Sequence, residues 1–250
     1  MKEKLCIIDG DSLIYIHSWK LREDDDFYNH REAIREHIRQ ILSSTGCQQY
    51  IGYVKGSKSI RKTLAKTKEY KGNRKNSKRP KFYYEYYDFL VMELGFKFSD
   101  DGLEADDLCK IAWGELKDKY DITVATPDKD LKQFPTTFFN YVKNEFEVVD
   151  INKAKYNFWY QVLVGDSADN IPGLKGIGPV GAKKILLDPD KKGLHVVVYE
   201  AFLNQLGIRH GIEFFWENIS LVHLFGVEEV TINSKDDIVK VNNNLDWDDI

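Results

Sequence analysis

Eight carboxylates, Asp9, Glu104, Asp106, Asp107, Asp128, Asp130, Asp166 and Asp169, gather in four short clusters of this chain. They stand in Ile8-Asp9-Gly10, Glu104-Ala105-Asp106-Asp107, Asp128-Lys129-Asp130 and Asp166-Ser167-Ala168-Asp169. Hard divalent cations prefer oxygen ligands. Two such ions about 4 Å apart stabilise the attacking and leaving oxygens of a phosphodiester displacement. Like charges brought this close would repel unless cations neutralised them. The plainer reading of Glu104, Asp106 and Asp107 is electrostatic: acids in the first turn of a helix are stabilised by its dipole without any function. Five further acids in three other clusters make capping alone insufficient, provided the clusters converge. The expected chemistry is metal-dependent phosphodiester hydrolysis.

Two other stretches bear on anions. Residues 55–81 hold twelve Lys or Arg, including Arg61, Lys71, Arg74, Lys75, Lys78, Arg79 and Lys81, against one acid, Glu69. The net charge of −4, taken alone, argues against a nucleic-acid partner. Its uneven placement reverses that inference, because so dense a block supplies phosphate contacts and steering. A solvated basic loop is the bland alternative. In Gly176-Ile177-Gly178-Pro179-Val180-Gly181-Ala182-Lys183-Lys184, the glycines permit a tight hairpin and Pro179 suits the first position of a helix. Amides at a helix start bind phosphate, and Lys183 and Lys184 add attraction. An ordinary Gly-Pro turn is the alternative.

The elements that must position these residues read as α/β. Residues 5–8 form an apolar run ending at Asp9-Gly10, and residues 11–21, 31–42 and 50–54 continue as helix, helix and strand. The aromatic run from Phe82 to Tyr87 suggests a helix with one aromatic face, much of it core. Asp100-Asp101 offers an N-cap for a helix over 103–116, and residues 121–125 alternate like a strand. Asp9 and the Asp128 pair then fall beyond the carboxyl ends of strands, where open α/β sheets bind ligands. Residues 156–164, and those from Pro179 onward, read as mainly helical, and residues 241–250 as a polar, frayed tail. With 42% apolar residues, the chain can bury a core as one large domain or one domain plus an appendage, which excludes disorder throughout. Cys6, Cys47 and Cys109 show no metal-ligand spacing, and no apolar run reaches signal-peptide or membrane-span length. No membrane partner and a reducing cytoplasm are expected.

With these residues in view, the chain resembles the 5′ nuclease superfamily: flap endonucleases, bacteriophage 5′-to-3′ exonucleases and the 5′ nuclease domain of bacterial DNA polymerase I. The matching pieces are Ile8-Asp9-Gly10, Tyr70-Lys71-Gly72-Asn73-Arg74, Glu104-Ala105-Asp106-Asp107, Thr126-Pro127-Asp128-Lys129-Asp130-Leu131 and Gly165-Asp166-Ser167-Ala168-Asp169-Asn170-Ile171-Pro172-Gly173. They occur in family order over roughly residues 5–190. The resemblance implies a mainly parallel central sheet flanked by helices over residues 1–155, with a basic arch over about 55–98. It also implies a C-terminal helix-three-turn-helix module within 156–240, gripping duplex DNA through the hairpin Gly176-Ile177-Gly178, where K+ is a candidate ligand.

Carried across, Asp9, Glu104 and Asp106 hold a first Mg2+ (or Mn2+), and Asp128, Asp130, Asp166 and Asp169 a second, with Asp107 near both. Lys71 and Arg74 contact the scissile phosphate and Tyr70 stacks the terminal nucleotide, while Arg61, Lys75, Lys78, Arg79 and Lys81 belong to the DNA-binding block. One position departs from the pattern: Val54 stands where the family carries an aspartate at the end of the second strand. Asp11 is a candidate replacement ligand, against the plainer reading of a helix N-cap. The expectation is a monomeric 5′-to-3′ exonuclease or flap endonuclease of a bacterial or phage-infected cytoplasm. Its substrate would be duplex DNA with a 5′ end, flap or nick, or an RNA–DNA hybrid. No polymerase portion accompanies it in this sequence. The competing classes are a structure-specific DNA-binding protein with an impaired metal site and a ribonuclease on the same core.

Overall fold

A computed structural model describes residues 2–21, 24–187 and 193–226. The tail expected over 241–250 lies outside the described residues. The first strand, β1 (Glu3–Asp9), feeds directly into α1 (Gly10–Ser18), and α2 (Phe27–Thr45) leads to β2 (Gln49–Tyr53). After the short α3 (Arg61–Leu64) come α4 (Tyr83–Met92), α5 (Ala105–Leu116), β3 (Tyr120–Ala125), β4 (Thr136–Asn140) and β5 (Glu145–Val149). The sheet order is β2-β1-β3-β4-β5, with every pairing parallel except the antiparallel β4–β5 hairpin. That hairpin was not foreseen in the sequence.

Alternation along β1 explains the layering. Cys6 and Ile8 face a core built with α1, α2 and α4, whereas Leu5 and Ile7 face one that includes Cys109 and Ala112 of α5. A sheet buried on both faces is the expected state of parallel strands, because their crossover helices must cover both sides. Tyr83, Tyr86, Phe89 and Leu90 of α4 are buried in the first of these cores, so this part of the expected arch is integral to the domain.

Beyond the sheet run α6 (Ile151–Val164), the two-residue strands β6 (Gly165–Asp166) and β7 (Ile171–Pro172), α7 (Pro179–Leu186), α8 (Leu194–Leu206) and α9 (Ile208–Val222). They share a third core with Leu64 and Tyr70 from the basic segment. The β6–β7 clasp depends on two glycines. A Cβ on Gly165 would lie 2.3 Å from the Gly173 nitrogen, and one on Gly173 would lie 2.2 Å from the Val164 carbonyl. Only bare backbone fits there, and the clasp fixes the turn that carries Asp166 and Asp169.

Candidate metal centre and phosphate-facing loop

Parallel strands deliver Asp9 at the end of β1 and Asp128 and Asp130 just past β3, on one edge of the sheet. Asp9 is the residue preceding α1, and its carboxylate accepts from Ser12 Oγ and Thr126 Oγ1, each at 2.9 Å. Neither hydroxyl was singled out in the sequence. The usable signal was position: Ser12 lies one turn into the helix that Asp9 opens, and Thr126 directly follows β3. Glu104, not Asp100 or Asp101, is the N-cap of α5. The helix begins two residues later than expected because the backbone amide of Glu104 donates to Asp107 Oδ2 at 2.9 Å, closing the first turn there.

The segment holding Lys71 is fastened to the turn holding Asp169. Lys71 N donates to Asp169 O at 2.8 Å, Asn170 Nδ2 to Glu69 O at 2.8 Å, Asn73 Nδ2 to Ser167 O at 2.9 Å, and Arg74 Nε to Ala168 O at 2.9 Å. Side chains complete the junction. Lys71 Nζ lies 2.6 Å from Glu104 and 3.6 Å from Asp169, and Arg74 donates to Asp169 Oδ1 at 2.7 Å. Lys71 adopts a left-handed backbone, φ 56°, a conformation that side-chain-bearing residues seldom hold without surrounding contacts.

Three expected roles need correction. Tyr70 is 3% exposed, and its hydroxyl lies 2.9 Å from both Glu104 and Asp169. It bridges two carboxylates from within the core, and its ring is covered, with the Lys71 ammonium 4.8 Å from the ring centroid. Arg61 is 2% exposed, and its guanidinium grips Asp107 with two 2.7 Å bonds while donating to Leu221 O and His223 O. It is therefore no phosphate contact. Asp107, fully buried, also accepts from Phe225 N at 3.1 Å, which removes it from the candidate ligands. Of the remaining basic residues, Lys75, Lys78 and Arg79 are exposed, with Arg79 over the Tyr83 and Tyr84 rings, while Lys81 donates to Asp25 O.

Asp11 corrects a fourth expectation. It is no N-cap, since Asp9 holds that place. Its Oδ1 instead accepts from Lys55 N at 3.1 Å, directly beside Val54, whose side chain is wholly buried in the core. Its carboxyl is pushed up by burial, opposed by Lys55, and it also feels Glu104.

The electrostatics join the clusters into one field. Burial, then Asp11 and Asp128, raises Asp9 to about 7, and burial, then Asp128 and Asp166, raises Asp130 to about 7. Asp106 is pushed up by burial and by Asp107. Burial also opposes ionisation of Glu104, but Lys71 and Arg61 outweigh it and hold that carboxyl at about 2. Oxygen donors that repel one another in this way suit hard divalent ions. Among the described residues, no three His, Cys, Asp or Glu side chains already converge to cage an ion. An ion held at Glu104 would compete with the Lys71 ammonium for that carboxylate.

These pKa directions set a pH dependence. Asp9 and Asp130, ordinarily near 4, bind protons in the folded state up to about pH 7. Their contribution to stability is full below about pH 4 and declines as the pH rises through about 7. Glu104 runs oppositely, but its contribution changes only below about pH 4.5. An ion held by Asp9 and Asp130 would have to displace their protons. The rise in melting temperature on adding Mn2+ is accordingly expected to be larger at pH 8 than at pH 6. Equal rises at both pH values would contradict the assignment.

The Gly176-Ile177-Gly178 segment leads into α7, with Pro179 at its first turn and Lys183 and Lys184 exposed. The left-handed glycine is Gly176, φ 78°. Gly178 has φ −94°, and a Cβ there would meet nothing within 4 Å.

Fold and acids together define an α/β protein with a carboxylate face at the ends of its parallel strands. Sequence and fold relate it to the 5′ nuclease superfamily, as three comparisons illustrate. A DNA polymerase I of Caldicellulosiruptor bescii is 30% identical over 208 residues, covering 73% of this chain and 24% of that protein. A 5′-3′ exonuclease of Mycoplasmopsis pulmonis is 28% identical over 212 residues, covering 74% of this chain and 66% of that one. A bacteriophage T5 flap endonuclease, solved with DNA and metal ions, shares the fold with a TM-score of 0.72 at 19% identity over 97% of each chain. The chain thus spans only part of its curated relatives, and no family model matches it.

Proposed function

We propose that this chain is a divalent-metal-dependent 5′ nuclease acting on branched or 5′-ended duplex DNA. The observation that carries the reading is the junction of the Lys71–Arg74 loop with the Asp166–Asp169 turn, which sets phosphate-binding cations against an acid field. Asp9, Glu104 and Asp106, with Asp11 in place of a carboxylate at position 54, would hold one ion. Asp128, Asp130, Asp166 and Asp169 would hold the other. When bound, paired divalent ions stabilise the attacking and leaving oxygens of an in-line displacement. Lys71 and Arg74 offset charge developing on the phosphate oxygens. Tyr70 orients Glu104 and Asp169. The Gly176–Gly178 hairpin, the two lysines of α7 and exposed Lys75, Lys78 and Arg79 grip the unbroken duplex. A helix-three-turn-helix grip with K+ at the hairpin, Mg2+ or Mn2+ as the ions, and RNA–DNA hybrid as a further substrate belong to the same proposal.

The test is cleavage of labelled flap, nicked, blunt and RNA-primed duplexes with Mg2+ or with chelator. Metal-dependent release of 5′ products is expected, and product length separates exonucleolytic from flap cleavage. Binding without cleavage under all metal conditions would favour a structure-specific DNA-binding protein instead.

Two substitutions probe parts of this reading. Gly178→Val is expected to lower the melting temperature only slightly, because its side chain enters open space, although valine is a poorer N-cap for α7 than glycine. It should still weaken duplex affinity by about tenfold, or ~1.4 kcal/mol, by blocking backbone approach. Unaltered affinity in an anisotropy titration would exclude the hairpin. Asp11→Asn removes one charge from the first site and is expected to weaken Mn2+ binding roughly threefold or more, since ligand charge sets affinity. Calorimetric titration measures this without turnover, and an unchanged isotherm would leave the first site to Asp9, Glu104 and Asp106.

A further inference from the structure

Glu217 is a buried carboxylate, 8% exposed, that the chemistry above does not use. It projects from α9 onto the chain just after α3. Its Oε1 accepts from Lys66 N at 2.6 Å and Thr67 N at 2.7 Å, and its Oε2 from Thr67 Oγ1 at 2.6 Å. Three donors on one carboxylate form charge-assisted bonds, which are stronger than neutral ones. The atoms it holds belong to residues only a few positions before Tyr70 and Lys71. Its neighbour Asn218, fully buried, donates to Val162 O at 3.2 Å and Pro172 O at 2.9 Å. One turn of α9 therefore grips both the foot of the basic loop and β7, the strand just before the Gly176–Gly178 hairpin. Further along, Leu221 O and His223 O accept from Arg61, and Phe225 N donates to the Asp107 carboxylate of α5.

We infer that Glu217 is a positioning residue: by holding Lys66 and Thr67 it sets the foot of the loop that presents Lys71 and Arg74, within the frame that carries the hairpin. Helix α9 then transmits the register of a duplex on the hairpin to the cations facing the phosphate. Lys66 and Thr67 are exposed, and their backbone amides would otherwise be fixed by solvent alone. Without this anchor the loop foot would open as a local fluctuation, and the cations beyond it would lose their place. This inference rests on the nuclease reading for its consequence in catalysis, but the anchoring itself does not.

Three measurements on the full chain test it. Hydrogen–deuterium exchange over residues 65–75 is expected to speed up by about tenfold or more in Glu217→Ala. It should stay near wild type in Glu217→Gln, whose amide oxygen accepts both backbone amides. In single-turnover cleavage of a 5′-flap duplex with Mg2+, Glu217→Ala is expected to slow the step by about 10- to 100-fold, the scale of a small misplacement of reacting groups. Duplex affinity should change by less than about twofold, with Glu217→Gln restoring the rate.

Unchanged exchange at 65–75 in Glu217→Ala overturns the inference, as does an equal loss of rate in the Gln and Ala variants or a loss confined to affinity. Should Glu217→Ala fail to fold, Thr67→Val removes the hydroxyl bond alone and must show the same signature at smaller size. A wild-type chain that does not cleave would defeat the nuclease reading, while the exchange measurement would still decide the role of Glu217.

Discussion

Asp128→Asn is expected to lower single-turnover cleavage by at least about a thousandfold, the equivalent of ~4 kcal/mol of lost transition-state stabilisation. Duplex affinity should change by less than about threefold, because the proposed duplex contacts lie at the hairpin and the exposed basic residues. Asparagine is chosen over alanine for a local reason. Asp128 Oδ1 accepts the Asp130 backbone amide at 2.8 Å, and an amide oxygen keeps that bond. The substitution thus removes charge without loosening the turn. Asp169 offers a less clean test, since it also receives Arg74 and Tyr70 and its loss would remove two side-chain ties to the Lys71–Arg74 loop as well. Rapid-quench kinetics with an anisotropy titration reads both quantities, and a near-wild-type rate in Asp128→Asn would remove this residue from the metal centre.

Arg61→Met is expected to cost about 3–5 kcal/mol of folding stability, the usual penalty for leaving one member of a buried ion pair without its partner. The side chain makes four hydrogen bonds, two to Asp107 and two to the carbonyls of Leu221 and His223. Once it is gone, the fully buried Asp107 carboxylate keeps only the amides of Glu104 and Phe225. Pairing Arg61→Met with Asp107→Leu should recover only part of the loss: it removes the unpaired charge, but the carbonyls of Leu221 and His223 and the amides of Glu104 and Phe225 lose these partners. Urea titration measures the difference. A variant of unchanged stability but weaker duplex binding would return Arg61 to the surface role its place in the basic block suggested.

That reversal shows what the sequence could and could not convey. Acid clusters were legible because strand ends and helix starts deliver residues to fixed places in an α/β sheet, and Asp9, Asp128 and Asp130 are so placed. Which acid of a first turn faces the site was not legible. Asp106 and Asp107 are adjacent in sequence but about 100° apart around the helix, and one turns into the core. A hint lay in the setting of Arg61, between Ile60 and Leu64 in an otherwise polar stretch. Tyr70 deceived for the converse reason: a charged neighbourhood suggested exposure, whereas its ring joins the core under α6 and its hydroxyl alone reaches the carboxylates. The β4–β5 hairpin went unread although Thr136, Thr137, Phe138 and Phe139 favour a strand and Asn144, φ 57°, suits a turn. Glu217 and Asn218 gave no signal at all, because their partners lie far away in the chain.

The ammonium of Lys71 resting on Glu104 means that the protein carries a built-in counter-ion. An inorganic ion entering at that carboxylate would then be exchanged for a tethered competitor, not simply added. The displaced ammonium would stay tethered to the loop, and under the proposed nuclease reading it would be free to meet the substrate phosphate. One lysine would thereby serve as a safety catch, quieting the acids while the site is idle and becoming free to act only once the site is armed.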